Sequence, residues 1–259
     1  MQKLIFLGQR QIAWNALVEI AKPENREHLR IVAMVSDHAT CERFRAESDG
    51  GEIVFVENDR RRTQDILSAI RKTGATGLLS IQHNWILSED VLAAVGGWAF
   101  NLHNARLPHY QGYNSISHAI INGDSEFVST IHWMTDKVDE GDLAYEEVTP
   151  IDGTDTALTL HRKTIDAAGR AFGRFLSDVR NARPIPRYAP PDAPRRFYGK
   201  SDLHGLLDVS SEADPAKLDR LSRGLFYPPH NAAYRMVGER KIYQIPESGL
   251  VDLVDIGLR

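Results

Sequence analysis

Short apolar runs alternate with amphipathic segments through the first third of the chain, and this alternation limits the possible folds. The apolar runs are Leu4–Leu7, Ile31–Val35, Ile53–Val56 and Leu78–Ile81, and helical patterns lie at 11–22, 40–49, 62–73 and 88–95. Buried strands that are joined by helices pair in parallel and carry the helices on their faces. The sequence therefore predicts an α/β, Rossmann-like, mostly parallel sheet with helices on both faces.

Further elements follow this alternating region. We predict strands at Ala99–Leu102 and Val128–Met134, a short helix at Ser115–Ile121 and a long amphipathic helix at Thr156–Asp178. Two more strands, Ala233–Met236 and Lys241–Gln244, are predicted on either side of Gly238.

A proline-rich segment at 183–194 favours an extended connector, because each proline prevents helix continuation. The predicted organisation is therefore a catalytic domain at 1–182, a connector at 183–194 and a small C-terminal β-rich subdomain at 195–259. This last part is aromatic enough to form either a platform for the acceptor or a subunit contact, and we favour a homodimer; the aromatic residues are Phe197, Tyr198, Phe226, Tyr227 and Tyr234.

Composition limits the possible partners of the chain. Its 259 residues carry a formal net charge of −4, which disfavours a protein that grips nucleic acid through a basic surface. No apolar run approaches the roughly 20 residues that span a bilayer, and no secretory signal pattern opens the sequence. Cys41 is the single cysteine, in keeping with a reducing compartment. We expect a cytoplasmic protein without nucleic-acid binding or membrane insertion.

Three polar residues form a candidate catalytic set. Asn101 and His103 are two residues apart, so on an extended segment their side chains share a face, and Asp139 follows in a later loop. An amide, an imidazole and a carboxylate suit acyl transfer to an amine. His103 could instead be a core histidine, and nearby acids could replace Asp139. No metal is expected, because this chemistry needs none and no His-x-x-x-His spacing occurs.

The sequence around this set resembles the formyltransferases that use 10-formyltetrahydrofolate. Their shared pattern is Asn-x-His, then Leu-Pro-x-Tyr-x-Gly, then an Asp-x-Gly-Asp-like loop, matched here by Asn101-Leu-His103, Leu107-Pro-His-Tyr110-Gln-Gly112 and Asp139-Glu-Gly-Asp142. The resemblance implies that Asn101 binds the oxyanion and that His103 protonates the leaving nitrogen. Asp139 would orient His103 and help to accept the proton of the amine.

The resemblance also implies contacts to the folate. The implied residues lie in two loops, and they are Gln82, His83, Trp85, Ile86, Leu87, Thr135, Asp136 and Val138. Trp85 could equally be a packing residue. A dinucleotide at Gly8 is disfavoured, because the second and third glycines of that motif are missing.

Within this family, the chain most resembles the enzymes that formylate an amino-dideoxysugar on a nucleotide. Its length and its C-terminal segments 196–203 and 221–230 resemble those of the enzymes that act on GDP-perosamine, for the O-antigen of lipopolysaccharide, and the nucleotide stays open between GDP and dTDP. The implied contacts to sugar and pyrophosphate are Tyr110, Asn114, Arg195, Arg196 and Lys200. The alternatives are a methionyl-tRNA formyltransferase-like enzyme, a 10-formyltetrahydrofolate hydrolase and a non-catalytic binding module.

Overall fold

A seven-stranded sheet organises the chain in the computed structural model, which describes residues 1–47, 52–57, 63–83, 85–230 and 232–250. The strand order is β3-β2-β1-β4-β5-β7-β8. The strands of this sheet are β1 (Gln2–Gly8), β2 (Leu29–Ser36), β3 (Val54–Glu57), β4 (Gly77–Ile81), β5 (Ala99–His103), β7 (Glu126–Trp133) and β8 (Leu143–Pro150).

The first five strands in this order pair in parallel, as the sequence predicts. β1 pairs in parallel with β2 and β4, β2 pairs with β3, and β4 pairs with β5. The four residues Leu4–Leu7 at the centre of the sheet are fully buried. Continuous burial of this kind explains why these strands are unbroken apolar runs. The predicted Rossmann-like α/β sheet is confirmed.

Helices connect these strands close to the predicted positions. They are α1 (Arg10–Ala21), α2 (Pro23–Arg26), α3 (His38–Glu47), α4 (Thr63–Thr73), α5 (Glu89–Ala94), α6 (Ser115–Asn122), α7 (Ala157–Arg180) and α8 (Pro215–Gly224). Residues 48–49 and 62 of two predicted helices lie outside the described residues. The sequence patterns did not predict α8, although Asp214 caps it and Pro215 occupies its first turn.

The far side of the sheet departs from the parallel pattern. β7 runs antiparallel to β5, with Asn101 opposite His132 and His103 opposite Thr130. β8, which no apolar run predicted, lies beyond β7 at the edge of the sheet. Its residues change from the buried Leu143 to the partly exposed Glu146 and Glu147, so neither a continuous nor an alternating apolar pattern marks it.

The chain divides into two compact units that do not follow its linear order. The first contains residues 1–107, 129–147 and 168–192; the second contains residues 108–128 and 148–167 and continues from 193. The predicted boundary at 183–194 stays a prediction.

Aromatic side chains fill part of the core of the first unit. The ring of Phe175 lies 5.2 Å from the ring of Phe100 and 5.8 Å from that of Trp98.

The second unit includes the described C-terminal residues. β6 (Gln111–Gly112) pairs with β9 (Phe197–Tyr198), and β10 (Tyr234–Val237) pairs antiparallel with β11 (Arg240–Tyr243), the expected C-terminal strand pair. A separate apolar cluster consists of Leu203, Val209, Leu221, Leu225 and Ala233. Across the described residues, no helix combines the length and hydropathy that a membrane span requires.

Candidate active site

The strand β5 positions two of the predicted catalytic residues. Asn101 and His103 occupy alternate positions on β5, so their side chains project from one face. The sequence predicted this strand at Ala99–Leu102, which includes Asn101 but not His103. The ladder extends to His103, because Thr130 on β7 gives it a partner.

Asp139 reaches the same face by a route that the sequence did not predict. If the strand predicted at Val128–Met134 ran parallel to β5, its end would lie with the carboxyl ends of the parallel strands. Because β7 runs antiparallel, that end lies beside Ala99, whose carbonyl accepts a bond from the N–H of Met134. The following loop returns toward β5, with Asp139 in the left-handed region at φ 52°.

A close approach of the backbone holds this loop against β7. The N–H of Trp133 donates to the carbonyl of Asp142 at 2.8 Å. A side chain on Gly141 would place its Cβ 1.6 Å from the Trp133 carbonyl oxygen, so only glycine fits there. Arg187 Nε donates to Asp142 Oδ2 at 2.7 Å and adds a second attachment. The position of Asp139 therefore depends on β7.

The two carboxylate oxygens of Asp139 face different partners. Oδ2 lies 3.6 Å from His103 Nε2, and Oδ1 lies 3.5 Å from His132 Nε2. Asn101 Nδ2 donates to Oδ1 at 3.3 Å. The side chain of Asp139 is only 8% exposed and that of His103 is 14% exposed. The predicted trio thus comes together in a largely buried cluster.

His132 is a fourth member of the cluster, and the sequence interpretation did not include it. Its Nε2 lies 3.1 Å from Asn101 Nδ2, and its Nδ1 lies 2.9 Å from the Trp133 carbonyl oxygen. The alternation of Thr130, His132 and Met134 along a strand placed His132 on a defined face. Nothing in that alternation, however, revealed the antiparallel register that sets it opposite Asn101.

The segment 82–87 begins at the carboxyl end of β4, beside the end of β5, because Ile81 pairs with Leu102. Gln82 has φ 51°, and its side-chain oxygen accepts the N–H of Ile12 in the first turn of α1. His83 Nδ1 accepts the N–H of Trp85. Two residues predicted to contact folate therefore have side chains that organise the loop.

The remaining predicted folate residues differ in exposure. Leu87 is buried in a core cluster, and Trp85 and Met134 pack against that cluster, whereas Ile86 is 66% exposed. Thr135 and Asp136 are exposed, and Val138 is partly buried. The Thr135 hydroxyl exchanges bonds with the backbone of Lys137. Both predicted folate loops thus begin beside one apolar cluster.

The residues predicted to contact the sugar nucleotide all belong to the second compact unit. Tyr110 is 4% exposed, and its hydroxyl donates to Asp124 at 2.6 Å and accepts from Asn122 at 3.0 Å. Burial raises the pKa of the Tyr110 hydroxyl, and the bond to Asp124 adds to this effect. These bonds give Tyr110 a structural role.

The other four predicted contacts lie nearer the surface. Asn114 begins α6 at φ 57° and donates to the carbonyl of Lys200 at 3.4 Å. Arg195, Arg196 and Lys200 are exposed. Contact between these side chains and a ligand stays a prediction.

Comparison with known proteins identifies the family. The sequence matches the formyl transferase family over residues 2–176, which includes all four residues of the cluster. The chain belongs to the formyl transferase family. It is therefore related to enzymes that move a formyl group, and its acid, amide and imidazoles lie within the matched region.

Solved structures share this fold at low sequence identity. A 4-N formyltransferase from Francisella tularensis has a TM-score of 0.76 at 15% identity, with 94% of this chain and 96% of that chain covered. An N-formyltransferase from Helicobacter canadensis, in complex with folinic acid and dTDP-3-aminofucose, has a TM-score of 0.63 at 15% identity, covering 93% and 86%. A glycinamide ribonucleotide transformylase from Symbiobacterium toebii has a TM-score of 0.61 at 20% identity, covering 73% and 93%.

Proposed function

We propose that the protein transfers a formyl group from 10-formyltetrahydrofolate to the amine of a nucleotide-linked amino-dideoxysugar. The observation that carries this proposal is the contact of Asp139 with Asn101 and His103 within the region that matches the formyl transferase family. Amide, imidazole and carboxylate are the groups that this transfer needs.

The reaction forms one carbon–nitrogen bond and breaks another. The lone pair of the acceptor amine attacks the formyl carbon, and the carbonyl electrons move to the oxygen, which Asn101 binds as an oxyanion. Asp139 helps to accept the proton that the amine loses, His103 protonates the folate nitrogen, and the proton held by Asp139 then passes to the imidazole of His103, which restores both groups. The electrons of the oxyanion then restore the carbonyl as the bond to that nitrogen breaks, which leaves a formamide and tetrahydrofolate.

We place the folate against the loops 82–87 and 135–139. The first begins beside His103, and the second carries Asp139. The exposed Ile86 supplies an apolar wall for a flat pterin ring, and backbone groups of these loops would bind its polar edge. The Helicobacter canadensis structure contains folinic acid, which supports a folate donor.

Coverage of the C-terminal residues supports the sugar branch. The Francisella tularensis enzyme aligns with 94% of the chain, whereas the glycinamide ribonucleotide enzyme aligns with 73%. We propose a GDP- or dTDP-linked 4-amino-4,6-dideoxyhexose such as GDP-perosamine as acceptor, made in the cytoplasm for O-antigen. Arg195, Arg196 and Lys200 are exposed cations suited to a pyrophosphate.

Transfer assays with purified protein test this function. Release of tetrahydrofolate should depend on an amino-sugar nucleotide, and His103→Ala and Asp139→Ala should each lower kcat by roughly 100-fold or more. Calorimetry with GDP, dTDP and UDP should identify the nucleotide. Wild-type rates in both variants would contradict the roles of these residues.

The same assay separates the alternatives. A hydrolase would release tetrahydrofolate without an acceptor amine, and a binding module would release none. Formylation of initiator methionyl-tRNA without a response to any sugar nucleotide would overturn the sugar acceptor.

We also propose that the protein is a homodimer through the β10–β11 hairpin. Val237 and Ile242 lie on one face of this hairpin and are 64% and 48% exposed. A two-stranded hairpin is marginally stable in water unless another surface covers it. Sedimentation at micromolar concentration should show a dimer for the wild type and a monomer for V237D/I242D. A monomeric wild type would refute the dimer.

A further inference from the structure

The bonds of His132 define the proton positions on its ring. The Trp133 carbonyl oxygen, 2.9 Å from Nδ1, can only accept, so Nδ1 carries a proton. Asn101 Nδ2, 3.1 Å from Nε2, can only donate, so Nε2 offers its lone pair. Both contacts are satisfied by an imidazole that carries a proton on Nδ1 and accepts at Nε2, while Asp139 Oδ1, 3.5 Å from Nε2, lies too far away for a good hydrogen bond to that nitrogen.

The orientation of the Asn101 amide follows from the same contacts. Its nitrogen faces Asp139 Oδ1 at 3.3 Å as well as His132 Nε2. The reversed amide would point its oxygen at the carboxylate oxygen of Asp139, and this contact would be repulsive whichever tautomer His132 adopts. His132 and Asp139 together therefore direct the two amide hydrogens of Asn101 and turn its oxygen away from Asp139.

We propose that His132 is a positioning residue for the formyl transfer proposed above, and that it acts through Asn101. By accepting at Nε2 it holds one amide hydrogen of Asn101 and opposes reversal of the amide. It also links the cluster to the backbone of β7, because its Nδ1 binds the Trp133 carbonyl that abuts Gly141. When the oxyanion forms, one of the two amide hydrogens of Asn101 exchanges its present acceptor for the oxyanion, and the remaining bond keeps the amide in place.

This role depends on the burial of His132 between strand and loop. Its side chain is 3% exposed, so a water molecule does not take the place of Nε2 as the acceptor for the amide of Asn101. A buried donor that loses its acceptor costs about 1–3 kcal/mol, so without His132 Asn101 would sample other orientations. An error of about 1 Å in such a group can lower a rate by roughly 100-fold.

Two substitutions separate the two nitrogens of His132. In His132→Gln the side-chain oxygen can occupy the place of Nε2 and accept from Asn101. In His132→Asn the shorter side chain can reach only the Trp133 carbonyl, so one amide hydrogen of Asn101 loses its acceptor while Asp139 Oδ1 still accepts from Asn101. The matched control is His28→Asn. His28 directly precedes Leu29, the first residue of β2, and so lies at the amino end of that strand.

The proposal predicts a specific order of activities. His132→Asn should lower kcat by roughly 10- to 100-fold with little change in the KM for the formyl donor, while His132→Gln and His28→Asn keep most of the wild-type kcat. In an Asn101→Ala background, His132→Asn should have almost no further effect. Equal loss in the Gln and Asn variants, or additive loss in the Asn101→Ala background, would overturn the proposal.

A spectroscopic measurement distinguishes this inference from the proposed function. Long-range ¹H–¹⁵N NMR of the substrate-free protein should show Nδ1 protonated and Nε2 unprotonated in His132. The Asn101 side-chain amide signals should shift strongly in His132→Asn and weakly in His132→Gln. A proton on Nε2 would refute the inference even if formyl transfer is observed. Absence of transfer with the expected spectra would instead refute the function.

Discussion

Substitution of Gly141 by alanine tests whether the loop that carries Asp139 must lie against β7. The added Cβ would lie 1.6 Å from the Trp133 carbonyl oxygen and 3.3 Å from His132 Nδ1. An ordinary van der Waals contact begins near 3.4 Å, so the loop must move by about 1.8 Å. The contacting atom is a backbone carbonyl oxygen, so a change of side-chain rotamer cannot relieve this contact.

A displacement of this size exceeds the tolerance of the site. Asp139 is two residues from Gly141, and its oxygens lie 3.3 Å from Asn101 Nδ2 and 3.6 Å from His103 Nε2. Adding about 1.8 Å to either distance would break the contact. Because an error of about 1 Å can lower a rate by roughly 100-fold, Gly141→Ala should lower kcat by at least that factor.

The assay is steady-state formyl transfer, with thermal unfolding measured in parallel. Gly153→Ala is the matched control, since a Cβ at Gly153 meets nothing within 4 Å and should leave kcat unchanged. A folded Gly141→Ala enzyme with wild-type kcat would refute the argument that this close approach positions Asp139.

Three further predictions concern stability. Gly169→Ala should raise the unfolding free energy by about 0.5–1 kcal/mol in a denaturant titration, because Gly169 is exposed within α7 and a Cβ there meets nothing. Phe175→Ala should cost about 3–5 kcal/mol in the same titration, since its fully buried ring would leave a cavity. The hydrogen bond from Tyr145 lowers the pKa of Asp178, and Arg183 adds to this effect. The Asp178 carboxylate therefore stabilises the fold at pH values above its unfolded pKa, and this stabilisation is lost as the pH falls through its folded pKa. Tyr145→Phe should therefore weaken the pH dependence of stability below about pH 4, and an unchanged acid titration would contradict this.

The sequence predicted the parallel half of the sheet well because local burial determines its pattern. Leu4–Leu7 and Leu78–Ile81 are buried on both faces, so each appears as an unbroken apolar run. The shared face of Asn101 and His103 was also predictable, since it follows from the alternation of a strand. Asp139 was predicted from the match of Asp139-Glu-Gly-Asp142 to the family pattern.

The missed features depend on contacts between distant residues. The place of His132 depends on the antiparallel register of β5 and β7, which no local pattern encodes. The ligand contact suggested by the motif position of Tyr110 stays a prediction, whereas the bond from its hydroxyl to Asp124 was not apparent from spacing. The sequence did not predict β8, because it contains the charged residue Glu147. Glu147 forms an ion pair with Arg174 on α7, a contact that no local pattern shows.

The pairing of β6 with β9 affects any attempt to exchange acceptor specificity between related enzymes. Gln111 and Gly112 hydrogen-bond with a strand that follows the proline-rich segment, and Asn122 donates to the hydroxyl of Tyr198. A chimera joined at Pro194 would therefore pair β6 of one parent with β9 of the other. A transplant that keeps residues 108–128 and the C-terminal residues from the same parent preserves these bonds. The part of the chain that should be exchanged between enzymes is therefore discontinuous in sequence.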